Sequence, residues 1–445
     1  MVDYSRALVL APMVRTGELP VRLLSLKYGA DLVWGPELVD KKVVQTQRFV
    51  NPKLETVDFC TADKKLVFRT FPATERGRLV FQLGTADPSL AVAAAKVVAK
   101  DVAAIDVNSG CPKHFSVHSG MGAALLRNPD KLEAILRALV REVGEPHRLP
   151  ISVKIRILDN ADDTYALVRR LVATGIACLT VHCRTTPMRS REDPIYDYLC
   201  EIAHICRGAG VACLVNGSVE SRQQLPSFIT KYGVDGAMIA RAAEANPSCF
   251  SAEGLVPLPV ISREFLGLCR QFEYSNAHAK YWLTKSISGK DPLYQRVARA
   301  KSLADLEQAI NERWPLAPAA SAAVDDRSSG VSAPTARLHD RHRTLQGSRS
   351  EFSSAEEALR ADDARVEPLR AAAPGVRTEQ PSSPGPERGL PQMPNSVNGV
   401  NNVDSVDGSD AVKRVLMAST HANPAVNGVT LDVQDQQKRQ KLCFD

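Results

Sequence analysis

Short apolar runs alternate with amphipathic stretches from the start of the chain to about residue 250. Eight of the runs are rich in Val, Ile and Leu and are typical of buried strands. They lie at residues 8–10, 32–34, 79–82, 103–107, 151–155, 178–182, 212–216 and 236–239. Helical periodicity predicts helices at residues 19–29, 88–100, 129–143, 164–173, 196–207 and 221–232. This alternation predicts an α/β protein with a parallel sheet.

Eight strands in about 250 residues predict a closed (β/α)8 TIM barrel, a fold of that usual length. The main alternative is an open doubly wound sheet. Such a sheet would carry a Gly-x-Gly-x-x-Gly turn after its first strand, and this chain has none there. The stretch 34–78 is too long for a simple strand-to-helix connection and too irregular to assign.

The pattern changes twice further along the chain. From about residue 260 to Trp314 it becomes helical without strands, and beyond Trp314 polar and small residues dominate with only two aromatics. We therefore expect a barrel domain at 1–255, a short all-helical domain at 256–314 and a disordered low-complexity tail at 315–445. One short helix is expected in the tail, near 354–365.

Charge singles out one segment of the helical region. The whole chain has a net charge of only +6, but six Lys and Arg side chains between Lys280 and Lys301 are opposed by Asp291 alone. Such a run is either a solvated helical face or a basic surface for a phosphate backbone. The sequence leaves both interpretations open.

Composition bounds location and metal content. Every apolar run is too short to span a membrane, and the first residues do not resemble a secretory signal. We expect a cytoplasmic protein, with the nucleus as an alternative because residues 438–441 are mostly basic. The ten cysteines include no Cys-x-x-Cys pair, so we expect free thiols, mostly buried, and no metal site.

Candidate chemistry lies at the strand ends, because β/α barrels build active sites at the carboxyl ends of their strands. Cys111 follows the run 103–107 in the loop Asn108-Ser109-Gly110-Cys111-Pro112. The glycine and proline fix a loop shape that packing alone would not require. This setting suits a thiol that acts as nucleophile or acid, and a plain turn remains the alternative.

Polar residues end several other apolar runs. An unpaired ammonium on Lys154 would be costly to bury, so we expect an anionic or electron-rich partner for it. Gln82 can donate to and accept from a pyrimidine-like ring edge, whereas His182 is either a satisfied core histidine or a further ligand. Asn216-Gly217-Ser218 and Ala240-Arg241 follow strands seven and eight, where barrels often bind phosphate, and they favour a phosphorylated cofactor.

Taken in order, these motifs resemble those of tRNA-dihydrouridine synthases, and most resemble the eukaryotic branch that acts at position 20 of the D-loop. The resemblance covers about residues 7–310. The matching motifs are Leu10-Ala11-Pro12-Met13-Val14, Tyr28-Gly29-Ala30-Asp31, Asn108-x-Gly110-Cys111-Pro112 with Gly120-x-Gly122-Ala123, Lys154-Ile155-Arg156, Val181-His182-x-Arg184, Asn216-Gly217 and Ala240-Arg241.

The resemblance implies an FMN-binding barrel followed by a helical tRNA-binding domain. It implies that NADPH (or NADH) reduces FMN, that flavin N5 passes a hydride to uridine C6, and that Cys111 protonates C5. Asn108 and Arg184 would position the uracil. The residues that would hold FMN are Pro12, Met13, Val14, Glu37, Gln82, Lys154, His182, Asn216, Gly217, Ser218, Ala240 and Arg241.

Two other functions remain open at this point, both for a chain expected to be monomeric. One is an FMN-dependent barrel reductase of a small pyrimidine or enone. The other is a barrel without catalysis that serves as an RNA-binding protein, although the presence of Cys111 and Lys154 argues against it.

Overall fold

A computed structural model describes residues 2–315 of the chain. The strands are β1 Leu8–Leu10, β2 Leu32–Trp34, β3 Leu38–Val39, β4 Thr46–Asn51, β5 Thr56–Thr61, β6 Leu66–Thr70, β7 Leu79–Gly84, β8 Ala104–Ser109, β9 Ile151–Arg156, β10 Cys178–His182, β11 Ala212–Asn216 and β12 Gly236–Ile239. The α-helices are α1 Leu19–Lys27, α2 Asp40–Val43, α3 Pro72–Glu75, α4 Pro88–Val98, α5 His114–His118, α6 Pro129–Leu139, α7 Glu145–His147, α8 Ala161–Val172, α9 Leu199–Gly208, α10 Leu225–Tyr232, α11 Arg241–Ala245, α12 Leu258–Gln271, α13 Asn276–Ser286, α14 Pro292–Arg299 and α15 Leu303–Arg313.

Eight parallel strands form a closed barrel. Its order is β2, β1, β12, β11, β10, β9, β8 and β7, and pairing of β2 with β7 closes the ring. The predicted TIM barrel is therefore confirmed, and all eight predicted strand positions correspond to barrel strands.

Alternating residues of the barrel strands separate two apolar layers, because successive side chains of a strand point to opposite faces. The inner layer, inside the barrel, includes Val9, Trp34, Val80, Leu214 and Met238. The outer layer packs under the helices and includes Leu8, Leu10, Phe81, Val107 and Val153. All ten side chains are fully buried, so the barrel is a packed core rather than a pore.

The unassigned stretch 34–78 forms a small structural unit of its own. Strands β4, β5 and β6 make a three-stranded antiparallel sheet beside the barrel, and β3 pairs with the end of β7. The buried guanidinium of Arg69 on β6 pairs with Asp58 on β5 at 2.6 Å. Next to it, Arg22 of α1 pairs with Glu75 of α3 at 2.6 Å, with both side chains fully buried.

Helices α12–α15 follow the barrel, as the helical periodicity predicted. Phe265 of α12 packs on Trp282 of α13 with ring centroids 4.2 Å apart. No helix between residues 2 and 315 is both long enough and apolar enough to cross a membrane. The predictions for the tail, including the helix near 354–365 and the basic residues 438–441, lie outside the described residues.

Candidate active site at the barrel mouth

The residues singled out in the sequence lie together at the carboxyl ends of the barrel strands, which we call the mouth. On the strands themselves are Gln82 of β7, Asn108 of β8, Lys154 of β9, His182 of β10 and Asn216 of β11. Just beyond strands are Pro12, Met13 and Val14 after β1, Glu37 after β2, Cys111 after β8, Arg184 after β10, Gly217 and Ser218 after β11, and Ala240 and Arg241 after β12. Val14 is 44% exposed, the most solvent-exposed apolar side chain of this set.

A cavity of about 510 Å³ opens beside the ends of β10, β11 and β12. Its walls include His182, Arg184, Asn216, Gly217, Ser218, Ala240 and Arg241. Gly217 has a φ of +127°, a backbone conformation that residues other than glycine rarely adopt. A Cβ there would contact Arg184 and His182. Glycine at this position therefore keeps the loop backbone open to a ligand.

Two guanidinium groups converge on one hydroxyl in this cavity. Nη2 of Arg184 donates to Oγ of Ser218 at 2.8 Å, and Nη2 of Arg241 donates to the same oxygen at 3.2 Å. Burial, followed by repulsion from Arg241, lowers the pKa of Arg184. Two cations sharing a neutral partner leave positive charge that an anion such as phosphate would balance.

Lys154 supplies a third positive charge, inside the barrel. Its ammonium group forms no hydrogen bond or ion pair with another residue in the range 2–315. Burial lowers the pKa of Lys154 to about 8; Arg156 acts in the same direction and Asp106 opposes it. A half-buried ammonium without a hydrogen-bonded partner is suited to an electron-rich ligand.

Asp106 lies deeper in the barrel than Lys154 and is fully buried. Its Oδ2 accepts a hydrogen bond from Nε2 of Gln82 at 2.8 Å, and its Oδ1 accepts one from Oγ of Ser152 at 2.6 Å. Burial raises the pKa of Asp106 to about 6, although both hydrogen bonds and the charge of Lys154 lower it. The carboxyl group is therefore mostly ionised at neutral pH.

The Cys111 loop is held by side-chain to backbone hydrogen bonds. Oδ1 of Asn108 accepts from the backbone N–H groups of Gly110 and Cys111 at 3.0 and 3.1 Å. Nε of Arg156 donates to the carbonyl of Gly110 at 2.8 Å, and the N–H of Ala123 donates to the carbonyl of Cys111 at 2.9 Å. These contacts fix the direction in which the half-buried thiol leaves the backbone.

The thiol itself is kept protonated. Burial raises the pKa of Cys111 above its usual value. The nearby Glu37 carboxylate contributes in the same direction, whereas the backbone N–H and the charge of Lys113, and last the Ser116 hydroxyl, lower it. Ser116 is fully buried beside the loop. A Cβ on Gly122 would come within 2.4 Å of the Ser116 hydroxyl and 3.1 Å of the Cys111 Cβ, so these groups are close-packed.

Two further groups face the mouth in unusual states. Oε1 of Glu37 is buried without a hydrogen-bond partner among the described residues, which leaves an acceptor for a ligand N–H or O–H. Burial and the surrounding cations, Lys154 first among them, lower the pKa of His182 to about 2. His182 is therefore neutral at physiological pH and can bind a ligand only as a neutral imidazole.

Comparison with known proteins decides the family. The family model described as Dihydrouridine synthase (Dus) matches residues 9–322. The chain belongs to the dihydrouridine synthase family. It also belongs to the eukaryotic branch that acts at position 20, because two relatives named tRNA-dihydrouridine(20) synthase share almost half of their aligned residues with it.

These two relatives come from yeasts. The Schizosaccharomyces pombe protein is 48% identical over 327 residues, which are 72% of this chain and 68% of that protein. The Saccharomyces cerevisiae protein is 49% identical over 316 residues, 68% of this chain and 82% of that protein. A human protein named as a tRNA-dihydrouridine(20a/20b) synthase-like protein is 30% identical over 254 residues, 57% of this chain and 73% of that protein.

Two residues of this dihydrouridine synthase site were missed in the sequence. Asp106 sits in the middle of the apolar run 103–107, and a charged residue there was the available signal, since buried carboxylates are rare unless paired. Ser116, which lies in α5, gave no signal, because a serine at such a position is ordinary. Arg184 was predicted to position the substrate base, and its guanidinium lies beside Ser218 in the cavity described above.

Proposed function

We propose that this dihydrouridine synthase reduces the C5–C6 double bond of uridine 20 in tRNA, with FMN as its cofactor and NADPH or NADH as the reductant. The names of both yeast relatives include tRNA, position 20 and NAD(P)+, which supports the substrate and the reductant. The observation that carries the chemistry is a protonated thiol, Cys111, at the same mouth as the unpaired ammonium of Lys154.

The donor set at the mouth fits a phosphorylated flavin. Ser218 and Arg241 would hold the phosphate together with the open backbone at Gly217. The ammonium of Lys154 would stabilise the negative charge that a reduced flavin carries near N1 and O2. The remaining proposed contacts to FMN are Pro12, Met13, Val14, Glu37, Gln82, His182, Asn216 and Ala240.

The chain's own residues supply the acid and its position. FMN, when bound, would supply the hydride that reaches C6 of the uracil. Cys111 holds a proton on Sγ and delivers it to C5 from the opposite face of the ring, as a general acid. Asn108 keeps the Cys111 loop in place, and we propose that Asn108 and Arg184 also contact the uracil.

The substrate base must leave the folded RNA to reach this mouth. We propose that residues 256–314, helices α12–α15, form the tRNA-binding domain. Arg15 is next to Val14 at the mouth, and its Cζ lies 5.4 Å from the centre of the Tyr281 ring in α13. Nζ of Lys285 lies 5.7 Å from the centre of the same ring. The basic face of α13 therefore borders the mouth, where RNA phosphates would pass.

The test is turnover by the purified full chain loaded with FMN. Incubation with NADPH and unmodified tRNA should give dihydrouridine at position 20, detected by mass spectrometry of nuclease fragments. Cys111→Ala should lose this product while NADPH still bleaches the flavin, and Cys60→Ala, which changes a thiol in the antiparallel sheet, should behave as the parent. A protein that does not bind FMN, or that turns over free uridine nucleotides and not tRNA, would overturn the proposal.

A further inference from the structure

A buried network crosses three neighbouring strands just below the mouth. Gln82, Asp106 and Ser152 are adjacent in register on β7, β8 and β9, so their side chains point into the barrel side by side. All three are at most 2% exposed, and both hydrogen bonds end on the Asp106 carboxylate. The proposed function assigns no role to Asp106. Burying a charged carboxylate lowers the stability of the fold, so a functional reason for its presence is expected.

The carboxylate fixes which way the Gln82 amide faces. An ionised carboxylate can only accept hydrogen bonds, so Gln82 must turn its Nε2 toward Asp106. Its Oε1 then points away from the network and accepts no hydrogen bond from residues 2–315. Gln82 therefore meets a ligand as an acceptor, although a free glutamine could equally present its two donors.

Asp106 also acts on the cation of the mouth. Lys154 lies two residues after Ser152 on β9, on the same inward face, and pairs in register with Asn108, two residues after Asp106. Asp106 favours the charged form of Lys154, against the burial and the repulsion from Arg156 that oppose it. The Asp106 carboxylate on β8 thus fixes the acceptor of Gln82 on β7 and stabilises the cation of Lys154 on β9.

We propose that Asp106 is a positioning residue for the flavin: through Gln82 and Lys154 it makes the mouth specific for a ring edge that carries an N–H donor beside atoms that gain negative charge. This inference rests on the proposed function. In FMN the matching edge is the pyrimidine side of the ring, with N3–H next to O2 and N1. Asp106 touches neither the flavin nor the substrate in this arrangement and acts only through its two neighbours.

The N3–H group of bound FMN reports on the Gln82 orientation directly. Full-length protein is loaded with FMN labelled with nitrogen-15 at N3, and its N3–H resonance and solvent exchange are measured by NMR. In the parent we expect a downfield, protected N3–H. In Asp106→Asn the Gln82 amide is free to turn, and we expect exchange faster by about tenfold, the equivalent of one lost hydrogen bond, with an upfield shift.

Ser152→Ala is the matched control, because it removes the other hydrogen bond to Asp106 and leaves Gln82 held. At a pH where Asp106 is ionised it should keep the parent's N3–H signal, and the midpoint of its pH dependence should move upward because Ser152 no longer lowers the pKa of Asp106. An unchanged N3–H in Asp106→Asn with FMN still bound would overturn the inference and leave the proposed function intact. A parent that binds no FMN would instead defeat the proposed function itself.

A pH series on the parent covers the case in which Asp106→Asn fails to fold. The titratable groups that face Asp106 are Lys154 of β9, Cys178 of β10 and Tyr4 below the barrel. Burial holds the pKa of Cys178 and of Tyr4 well above the usual values, and Lys154 titrates near 8, so Asp106 alone of these changes charge between pH 5 and 7. The N3–H resonance should move upfield as the pH falls through about 6, and a resonance that stays constant would contradict the role of Asp106.

Discussion

Cys111 combines a constrained backbone with a thiol that resists ionisation. Many reactive cysteines have a lowered pKa because the thiolate is the nucleophile. Here burial raises the pKa of Cys111, and the Glu37 carboxylate adds to that effect. The thiol therefore keeps its proton at neutral pH, as the proposed general-acid role requires.

Alkylation measures this property. In the FMN-free protein, the rate at which iodoacetamide modifies Cys111 should rise with a midpoint above the usual thiol value of about 8.5, because only the thiolate reacts. Peptide mass spectrometry separates Cys111 from the other cysteines. A midpoint at or below the usual value would contradict a general-acid role and favour a nucleophile.

Gly122 is the second residue on which the loop depends. Its φ is +58°, and an added Cβ would overlap Ser116 Oγ at 2.4 Å and the Cys111 carbonyl at 2.6 Å. We expect Gly122→Ala to lower the free energy of unfolding by about 2 kcal/mol or more, and to reduce dihydrouridine formation because the thiol is displaced. Gly267→Ala, on the exposed face of α12 with open space around it, should be neutral or slightly stabilising in the same urea titrations.

At this scale the sequence identified residues by their position after apolar strands. Lys154 and Gln82 stood out because polar groups ended apolar runs, and the structure brings them to one mouth. Asp106 escaped notice because its partners come from β7 and β9, which are distant in sequence. Pairing across strands is a tertiary property, and periodicity within one strand does not contain it.

Among the elements, helices α13 and α14 carry the basic run noted in the sequence. Some of its members are occupied: Arg296 pairs with Glu312, and Nζ of Lys280 donates to the carbonyl of Ala300 at 3.0 Å. Lys285 and Lys290 are exposed on α13 and just after it. These two lysines, together with the exposed Arg299 and Lys301, are the candidates for phosphate contacts.

We expect the double variant Lys285→Ala, Lys290→Ala to weaken tRNA binding by about tenfold near physiological salt, and to reduce the slope of log Kd against log salt by about 1–2. Filter binding at several salt concentrations measures both. Lys96→Ala, an exposed lysine on α4, is the matched control. Equal affinity and slope in the double variant and the control would favour a merely solvated helical face.

The antiparallel sheet β4–β6 contains a buried ion pair with its own pH dependence. Burial alone would raise the pKa of Asp58, but hydrogen bonds from Arg69 and Thr56 lower it. Because the pKa of Asp58 is lower in the folded than in the unfolded state, its ionised form stabilises the protein at pH values above the unfolded-state pKa of about 4. This contribution is lost as the pH falls through the folded-state pKa. Asp58→Asn should therefore cost about 3 kcal/mol at pH 7 and much less at about pH 3, measured by urea unfolding at both values.

This sheet also shows what the sequence could not provide at the level of elements. Barrel strands were recognisable because helices separate them at regular intervals. Residues 46–70 break that rhythm, and their strands mix exposed and buried positions without clean alternation: Phe49 and Val50 are adjacent and both 56% exposed. In β4 four consecutive residues, 47–50, are exposed, so neither face of this strand is fully covered and its sequence shows no burial-driven period of two.

On the scale of the whole molecule, the barrel and the helices after it share one set of buried polar contacts. Arg22 of α1 donates to the carbonyl of Arg69, and Arg69 donates to the carbonyl of Phe272 at the end of α12. The ring of Phe71 packs on that of Phe272 at 5.1 Å, and Tyr28 donates to Glu264 of α12 at 2.9 Å. The antiparallel sheet thus joins α1 to α12.

The Arg69 contact ties residues 256–314 to the antiparallel sheet. Loss of residues 256–314 would remove the Phe272 carbonyl from Arg69, whose guanidinium would then keep only Asp58 as a partner among the described residues. Any segment that replaced these helices would have to supply a new acceptor for Arg69, which lies in the insertion after β2.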